Sequence, residues 1–250
     1  MIYFVGAGPG DVDLITVKGL KKLQEADVII YAGSLVSEEH LQAAKEGCSF
    51  YNSAKMHLDE VIQVMKEAVQ DEKLVVRLHT GDPTIYGAIQ EQMDRLIELA
   101  IPFEVIPGVS SFTAAAAALP REFTLPGVSQ TVILTRIAGR TQVPEKEKLG
   151  ELAKHRASMA IFLSVQDMAG VVEELREGYG SWDIPIAVVY RASWPDQRIV
   201  RGNLADIVDK VAAAGIRKQA QILVGDFLEG DYQLSKLYDK SFTTEYREGI

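Results

Sequence analysis

The sequence contains very little cysteine and no long apolar run, and both absences restrict the class of protein. Cys48 is the single cysteine among 250 residues, which excludes an internal disulfide and predicts a reducing compartment, the cytoplasm. The apolar stretch at residues 114–119 is far shorter than the roughly 20 residues of a membrane span. The chain enters an apolar segment at residues 2–5 without a signal-like leader, so we expect no membrane partner.

Acidic residues outnumber basic ones, and the common catalytic motifs are absent from the sequence. A formal net charge of −9 disfavours nucleic acid as a partner. The four histidines show no H-x-x-x-H spacing and no cysteine companions, so no metal site is expected. Neither G-x-S-x-G nor G-x-x-x-x-G-K-[ST] occurs, which removes the simple hydrolase and P-loop interpretations.

The chain does contain two glycine-rich loops that each follow a predicted strand. The first, residues 6–11, lacks the G-x-G-x-x-G spacing of dinucleotide sites, but an adenosine-bearing ligand other than NAD remains open. The second, residues 79–87, follows a strand at residues 74–78 and precedes an amphipathic helix. Because open α/β sheets bind ligands beyond the carboxyl ends of their strands, this loop is a candidate site. An ordinary strand-to-helix turn is the alternative.

Strand and helix patterns alternate along the chain to about residue 230. This alternation predicts repeated strand–helix units with mainly parallel sheets, and therefore an α/β fold class. Pro120 and Pro126 interrupt the pattern, so we place a boundary there. The prediction is an N-terminal α/β lobe at residues 1–120, a C-terminal α/β lobe at residues 121–230 and a tail at residues 231–250. A cleft between two such lobes is a usual place for a small-molecule site.

Several cations lie near predicted strand ends despite the acidic total. They are Arg136, Arg140, Arg191, Arg198, Arg217 and Lys218. Guanidinium groups pair with carboxylates in bidentate fashion, so the set favours a substrate with many carboxylates. Any one of these residues, taken alone, is typical of an ordinary exposed charge.

Three motifs in order along the chain resemble those of the tetrapyrrole methylases. They are residues 5–11 (VGAGPGD), the loop at residues 81–87 (GDPTIYG) and the turn at residues 107–111 (PGVSS). Within that family, residues 134–145 and 190–196 are similar to the precorrin-4 C-11 methyltransferases of cobalamin biosynthesis. The resemblance covers residues 2–228, and it departs from the family at Ser110-Ser111, where relatives often carry Thr-Ala.

The resemblance implies two αβα lobes, a homodimer, and S-adenosylmethionine as the methyl donor, with S-adenosylhomocysteine as its product. Carried over position by position, the donor would contact the following residues: Pro9, Thr80, Gly81, Asp82, Ile85, Tyr86, Ser110, Ser111, Leu163, Ala192 and Ala220. The substrate would be a polycarboxylate tetrapyrrole, precorrin-4 or cobalt-precorrin-4, methylated at C-11. Its carboxylates would meet Lys55, Arg136, Arg140 and Arg191.

The implied chemistry requires alignment of the reactants and exclusion of water, because a sulfonium methyl group is already activated. Three residues are candidates for moving a proton or for steering the substrate: Asp82, His57 and Arg136. No catalytic base is assigned. His57 also fits an ordinary surface turn. Two alternatives stay open: a family member acting at another ring position or, like the diphthine synthases, on a protein, and a non-catalytic nucleotide- or tetrapyrrole-binding protein.

Overall fold

The computed structural model describes residues 1–139 and 141–249, which form two compact units. The first unit contains Met1–Ala114 together with the later segment Arg191–Gln197. The second contains Ala115–Tyr190 and the chain from Arg198 onward. No division by chain order alone could place Arg191–Gln197 with the first unit. The predicted lobes at residues 1–120 and 121–230, with a tail at 231–250, stay a prediction.

The first unit is built on a five-stranded sheet in which every pairing is parallel. Its strands are β1 (Ile2–Gly6), β2 (Val28–Tyr31), β3 (Ser49–Asn52), β4 (Val75–His79) and β5 (Phe103–Ile106). Their order across the sheet is β3-β2-β4-β1-β5. β1 and β2 are short apolar runs, and they and β4 are buried almost throughout, as expected for strands covered on both faces.

Helices cover both faces of this sheet. They are α1 (Val17–Glu25), α2 (Leu58–Gln70) and α3 (Gln90–Glu98), and α4 (Ser111–Ala118) follows β5. Leu23 of α1 packs on one face, while Met65 of α2 and Leu96 of α3 pack on the other. The helices α1 and α3 follow the neighbouring strands β1 and β4 but lie on opposite faces of the sheet. Open α/β sheets bind ligands at such a switch point.

The second unit contains a mixed sheet of five strands. They are β6 (Val132–Arg136), β7 (Ser158–Phe162), β8 (Pro185–Tyr190), β9 (Arg198–Asn203) and β10 (Ala220–Val224). Their order is β6-β7-β10-β8-β9, in which β6 pairs parallel with β7 while β10 pairs antiparallel with β7 and β8, and β9 pairs antiparallel with β8. The α/β fold class is confirmed, but the expectation of a mainly parallel sheet has to be corrected for this unit.

The hairpin formed by β8 and β9 explains why the sheet of the second unit is mixed. Each helical connection in the second unit joins strands that run in the same direction, as the alternating pattern predicts. These connections are β6-α5-β7, β7-α6-β8 and β9-α7-β10, through α5 (Leu149–Ala153), α6 (Met168–Tyr179) and α7 (Ile207–Ala213). The β8–β9 connection has no helix, so it reverses the chain direction, and β10 then inserts between β7 and β8 against their direction.

The core of the second unit is one apolar cluster between its helices and its sheet. Leu149, Val171 and Val211 represent α5, α6 and α7 in this cluster, and they pack with β-strand residues such as Ile161 and Ile222. Among the described helices of the whole chain, none has the length and apolarity that crossing a bilayer requires.

Candidate functional site

Three glycines bring the loops after β1, β4 and β5 into backbone contact. A Cβ atom on Gly108 would lie 2.2 Å from the carbonyl oxygen of Gly81 and 2.8 Å from Cα of Gly6. A Cβ atom on Gly6 would lie 2.5 Å from the same Gly81 oxygen. No side chain is accommodated at these distances without a backbone shift, so glycine is what allows the three loops to meet.

Backbone hydrogen bonds join the first two of these loops. The N–H of Gly81 donates to the carbonyl oxygen of Gly8 at 2.8 Å, and the N–H of Gly8 donates back to the Gly81 oxygen at 3.3 Å. The N–H of Ala7 donates to the carbonyl oxygen of His79 at 2.7 Å. The two glycine-rich loops singled out in the sequence therefore form one connected structure at the switch point.

Asp82 connects the second loop to the third. Its Oδ2 accepts a hydrogen bond from the backbone N–H of Gly108 at 3.0 Å, and its Oδ1 accepts one from the N–H of Thr84 at 2.8 Å. Both carboxylate oxygens are thus engaged in fixing the backbone. This arrangement supports a positioning role for Asp82 more than the role of a free base.

His40 supports the first loop from a different segment. The imidazole is buried, with Nε2 2.9 Å from the carbonyl oxygen of Ala7 and Nδ1 3.2 Å from that of Ser37. A ring N–H on Nε2 therefore donates to the loop that follows β1. Sequence reasoning missed His40, because no motif or spacing marks it.

The segment Arg191–Gln197 packs against the same loop. The indole Nε1–H of Trp194 donates to the carbonyl oxygen of Pro9 at 2.8 Å, and Ser193 Oγ accepts from the N–H of Asp11 at 3.0 Å. The Arg191 guanidinium lies over the Trp194 ring, 4.0 Å from its centroid, and pairs with Asp196 at 2.6 Å. Trp194 and Pro9 are 185 positions apart in the sequence, so this contact could not be read from spacing.

A pocket of about 610 Å³ opens beside this contact. Its lining residues come from the first loop, from the turn before His40 and from the later segment: Gly10, Asp11, Val12, Ser37, Glu39, Arg191, Ser193, Trp194, Pro195 and Asp196. Within the described part of the chain, Nε of Arg191 is buried without a hydrogen-bond partner. Of the predicted substrate-binding residues that the structure describes, Arg191 lines this pocket, and Lys55 and Arg136 do not.

The predicted donor contacts of the first unit lie on the connected loops and on the Arg191–Gln197 segment. Buried members are Pro9, Gly81, Ser110 and Ala192, half-buried members are Thr80, Asp82, Ile85 and Ser111, and Tyr86 is exposed. Tyr86, Arg191 and Ser193 have positive φ angles of 55°, 47° and 69°. The same backbone conformation occurs at turns elsewhere in the described chain, so it does not by itself mark a site.

The remaining predicted contacts that belong to the second unit lie at one end of its strands. Arg136 ends β6, Leu163 directly follows β7, and Ala220 begins the antiparallel strand β10. The register of β6 with β7 and of β10 with β7 places these three positions side by side at that end of the sheet. Leu163 is 58% exposed at a φ of 53°, and Arg136 donates to the carbonyl oxygen of Thr141.

His57 and Lys55 lie at the start of α2, away from the glycine-rich loops in the chain. The backbone N–H of His57 donates to Glu60 Oε2 at 2.9 Å, which is a helix-capping arrangement, and its imidazole is exposed. Lys55 is exposed in the turn before it. The contacts of His57 therefore support the surface-turn interpretation. Arg140 lies outside the described residues.

Two buried polar residues on β4 also lacked an assigned role in the sequence. Burial, and secondarily the Arg77 guanidinium, lowers the pKa of His79 from its ordinary 6.5 to about 3. Burial lowers the pKa of Arg77 from 12.5 to about 10, and its guanidinium donates to Gln92 Oε1 at 3.1 Å and to the Ile30 oxygen at 3.2 Å. His79 is thus a neutral imidazole under the first loop. Within residues 1–139 and 141–249, no three metal-binding side chains are grouped to hold an ion.

Comparison with known proteins identifies the family of the chain. The model of the tetrapyrrole (corrin/porphyrin) methylases matches residues 1–208. The chain belongs to the tetrapyrrole methylases. The predicted resemblance is confirmed, and with it the class of activity that the family name describes, methyl transfer.

Individual tetrapyrrole methylases match over almost the full length. Cobalt-precorrin-4 C(11)-methyltransferase of Methanocaldococcus jannaschii is 58% identical over 248 residues, which is 99% of this chain and 96% of that protein. Precorrin-4 C(11)-methyltransferase of Pseudomonas aeruginosa is 50% identical over 249 residues, 99% of each.

Solved tetrapyrrole methylase structures show the same fold. A cobalt precorrin-4 methyltransferase superposes with a TM-score of 0.89 at 51% identity, covering 92% of this chain and 96% of that one. A uroporphyrin-III C-methyltransferase from Thermus thermophilus, complexed with S-adenosylhomocysteine, has a TM-score of 0.76 at 27% identity, covering 91% and 92%.

Proposed function

We propose that the chain transfers a methyl group from S-adenosylmethionine to C-11 of precorrin-4 or cobalt-precorrin-4 in cobalamin biosynthesis. The observation that carries the proposal is 58% identity, over 99% of the chain, with a protein named for that reaction. The chain is a C-methyltransferase, and its second product is S-adenosylhomocysteine. A relative whose name lacks cobalt matches at 50%, so the proposal covers both forms of the substrate.

The geometry of the first unit supports a role for its loops in holding the donor. A Cβ atom on Gly81 would have no neighbour closer than 3.7 Å, and those neighbours are backbone atoms of Ser110 and Ser111. Gly81 therefore lies directly against Ser110 and Ser111, which are predicted contacts of the same ligand. We assign the donor to the following residues: Pro9, Thr80, Gly81, Asp82, Ile85, Tyr86, Ser110, Ser111, Leu163, Ala192 and Ala220.

The donor, when bound, supplies a methyl group that its positively charged sulfur has already activated. The protein has to align that group with the acceptor and exclude water. The Gly8–Gly81 bridge and the Asp82–Gly108 hydrogen bond hold three loops together through contacts within the protein. Because these contacts restrict the loops, they reduce the conformational entropy that donor binding has to remove.

A polycarboxylate acceptor requires cations in a protein whose net charge is −9. We assign its carboxylates to Lys55, Arg136, Arg140 and Arg191. The place of Arg191 in the lining of the pocket supports this assignment, since a guanidinium group donates hydrogen bonds to carboxylates. A homodimer and a cytoplasmic location complete the proposal: the family resemblance supports the first, and the single cysteine supports the second.

The test has two stages. Calorimetric titration with S-adenosylhomocysteine, with NAD as the control ligand, should give saturable binding of the first and none of the second. Incubation with S-adenosylmethionine and either form of precorrin-4 should then give a product whose new methyl group is located at C-11 by NMR. A methyl group at another ring carbon would reassign the substrate, and a folded protein that binds no S-adenosylhomocysteine would remove the proposal.

A further inference from the structure

Trp194 contacts the first glycine-rich loop in two different ways. Its indole Nε1–H donates to the carbonyl oxygen of Pro9 at 2.8 Å. Its ring also lies directly over Gly10, because a Cβ atom at Gly10 would be 2.1 Å from both Cδ1 and Nε1 of the indole. Hydrogen bonding and packing thus act on consecutive residues of one turn.

The segment that carries Trp194 is itself well ordered. The N–H of Trp194 donates to the Arg191 oxygen at 3.0 Å, and the N–H of Gln197 donates to the Trp194 oxygen at 3.1 Å. The N–H of Ser193 donates to Gln197 Oε1 at 2.8 Å, while the Arg191–Asp196 pair lies beside the indole. The ring is therefore held at a fixed position and can restrain the turn that it covers.

The backbone groups of the first loop are used almost completely inside the protein. The carbonyl oxygens of Ala7, Gly8 and Pro9 accept from His40, Gly81 and Trp194 respectively. Proline has no N–H to offer, and the N–H of Asp11 donates to Ser193. Pro9 is itself buried, so these contacts set its position, and the hydrogen bond from Trp194 is one of them.

We propose that Trp194 is a positioning residue for the methyl donor, which it serves by fixing the Pro9–Gly10 turn. The inference rests on the proposed function, which places the donor against Pro9. Trp194 touches the turn and not the reacting atoms. Its loss should therefore weaken donor binding while the rest of the unit stays folded.

The experiment uses the fact that the chain contains two tryptophans, Trp182 and Trp194. Trp194→Phe keeps an aromatic ring over Gly10 but removes the N–H that donates to Pro9. Trp182→Phe is the matched control, because Trp182 is partly exposed in the second unit, where it stacks with Arg176. Each variant also leaves a single tryptophan whose fluorescence reports on one place.

Calorimetry with S-adenosylhomocysteine should show unchanged affinity for Trp182→Phe and roughly fivefold weaker binding for Trp194→Phe, the effect of one lost hydrogen bond. In the Trp182→Phe variant, the emission of Trp194 should shift on saturation with the ligand. In the Trp194→Phe variant, the emission of Trp182 should stay constant. A role in stability alone would not produce that spectral difference.

The outcomes separate this inference from the proposed function. If the wild type binds S-adenosylhomocysteine but Trp194→Phe binds it equally well, the positioning role is wrong and the proposed function stands. If the wild type binds none, the proposed function itself fails. Should Trp194→Phe not fold, the fluorescence titration of Trp182→Phe decides: a shift supports the positioning role, and constant emission overturns it.

Discussion

Asp82 and Gly108 are joined by a hydrogen bond from a backbone N–H to a carboxylate oxygen, 3.0 Å long, across two neighbouring loops. The hydrogen bond is accepted by a carboxylate and donated by the backbone of Gly108, a position where any other residue would displace the backbone. Hydrogen bonds to charged groups are worth more than neutral ones. The contact therefore fixes the third loop relative to the second.

Replacement of Asp82 by alanine should weaken donor binding and destabilise the fold. The change removes a charge-assisted hydrogen bond to Gly108 and a second one to Thr84, so we expect a loss of about 1.5–3 kcal/mol in the free energy of unfolding. Urea unfolding and S-adenosylhomocysteine titration measure the two effects. Asp94→Ala, which removes a surface carboxylate bonded to Gln90, is the control. Unchanged ligand affinity in Asp82→Ala would contradict the placement of this loop in the donor site.

Alanine at position 108 should be poorly tolerated. Its Cβ atom would lie 2.2 Å from the Gly81 oxygen, so the backbone of one loop has to shift, at a cost of about 1–3 kcal/mol. Gly139→Ala is the matched control, because no atom of the described residues, chain neighbours aside, lies within 4 Å of the added Cβ there. Thermal unfolding should show a lowered Tm for the first variant and little change for the second. Equal Tm values would mean that the loops are less closely packed than the structure indicates.

Removal of the His40 side chain should loosen the first loop. In His40→Leu the carbonyl oxygen of Ala7 loses its imidazole partner, while that of Ser37 keeps the backbone N–H of residue 40. A buried acceptor left unpaired costs about 1–3 kcal/mol. His155→Leu, at an exposed position, is the control. Hydrogen exchange should show faster exchange in the residues next to this loop in the first variant alone. Identical exchange in both variants would argue against the support that His40 provides.

His79 should make stability depend on pH below neutrality. Its folded-state pKa is lowered from 6.5 to about 3, so between these values the unfolded chain binds a proton that the folded chain does not. This contribution to stability is complete above pH 6.5 and decreases by about 1.4 kcal/mol for each pH unit below it. Urea unfolding between pH 7 and pH 4.5 should show a shallower decline for His79→Leu than for the wild type or for His155→Leu. Parallel declines in all three would refute the assignment.

The sequence was sufficient for the elements that depend on local pattern. The strands Ile2–Gly6 and Val75–His79 nearly coincide with the apolar segment at residues 2–5 and the strand predicted at residues 74–78, because short apolar runs next to turns are a strong local signal. The glycine-rich loops were also visible, since their residue types are unusual and occur in a fixed order. Family membership followed from those loops and is confirmed by the family model.

Contacts between distant segments could not be predicted in this way. His40 reaches Ala7, and Trp194 reaches Pro9, through folding that brings remote residues together. Neither residue has a local signature. The antiparallel direction of β10 was missed for the same reason. It depends on the pair of strands between which the returning chain inserts. The periodicity of hydrophobic residues along the sequence carries no information about that choice.

The central position of β10 constrains the order in which the chain can fold. β7 and β8 are both made before β10, yet each has β10 as a neighbour, so they stay incompletely paired until Ala220–Val224 leaves the ribosome. During that interval their unpaired edges are exposed to other chains, which is a known route to aggregation. The parallel sheet of the first unit has all five strands by Ile106 and can form earlier. Synthesis of this protein should therefore have one vulnerable period, between the completion of β8 and the arrival of β10.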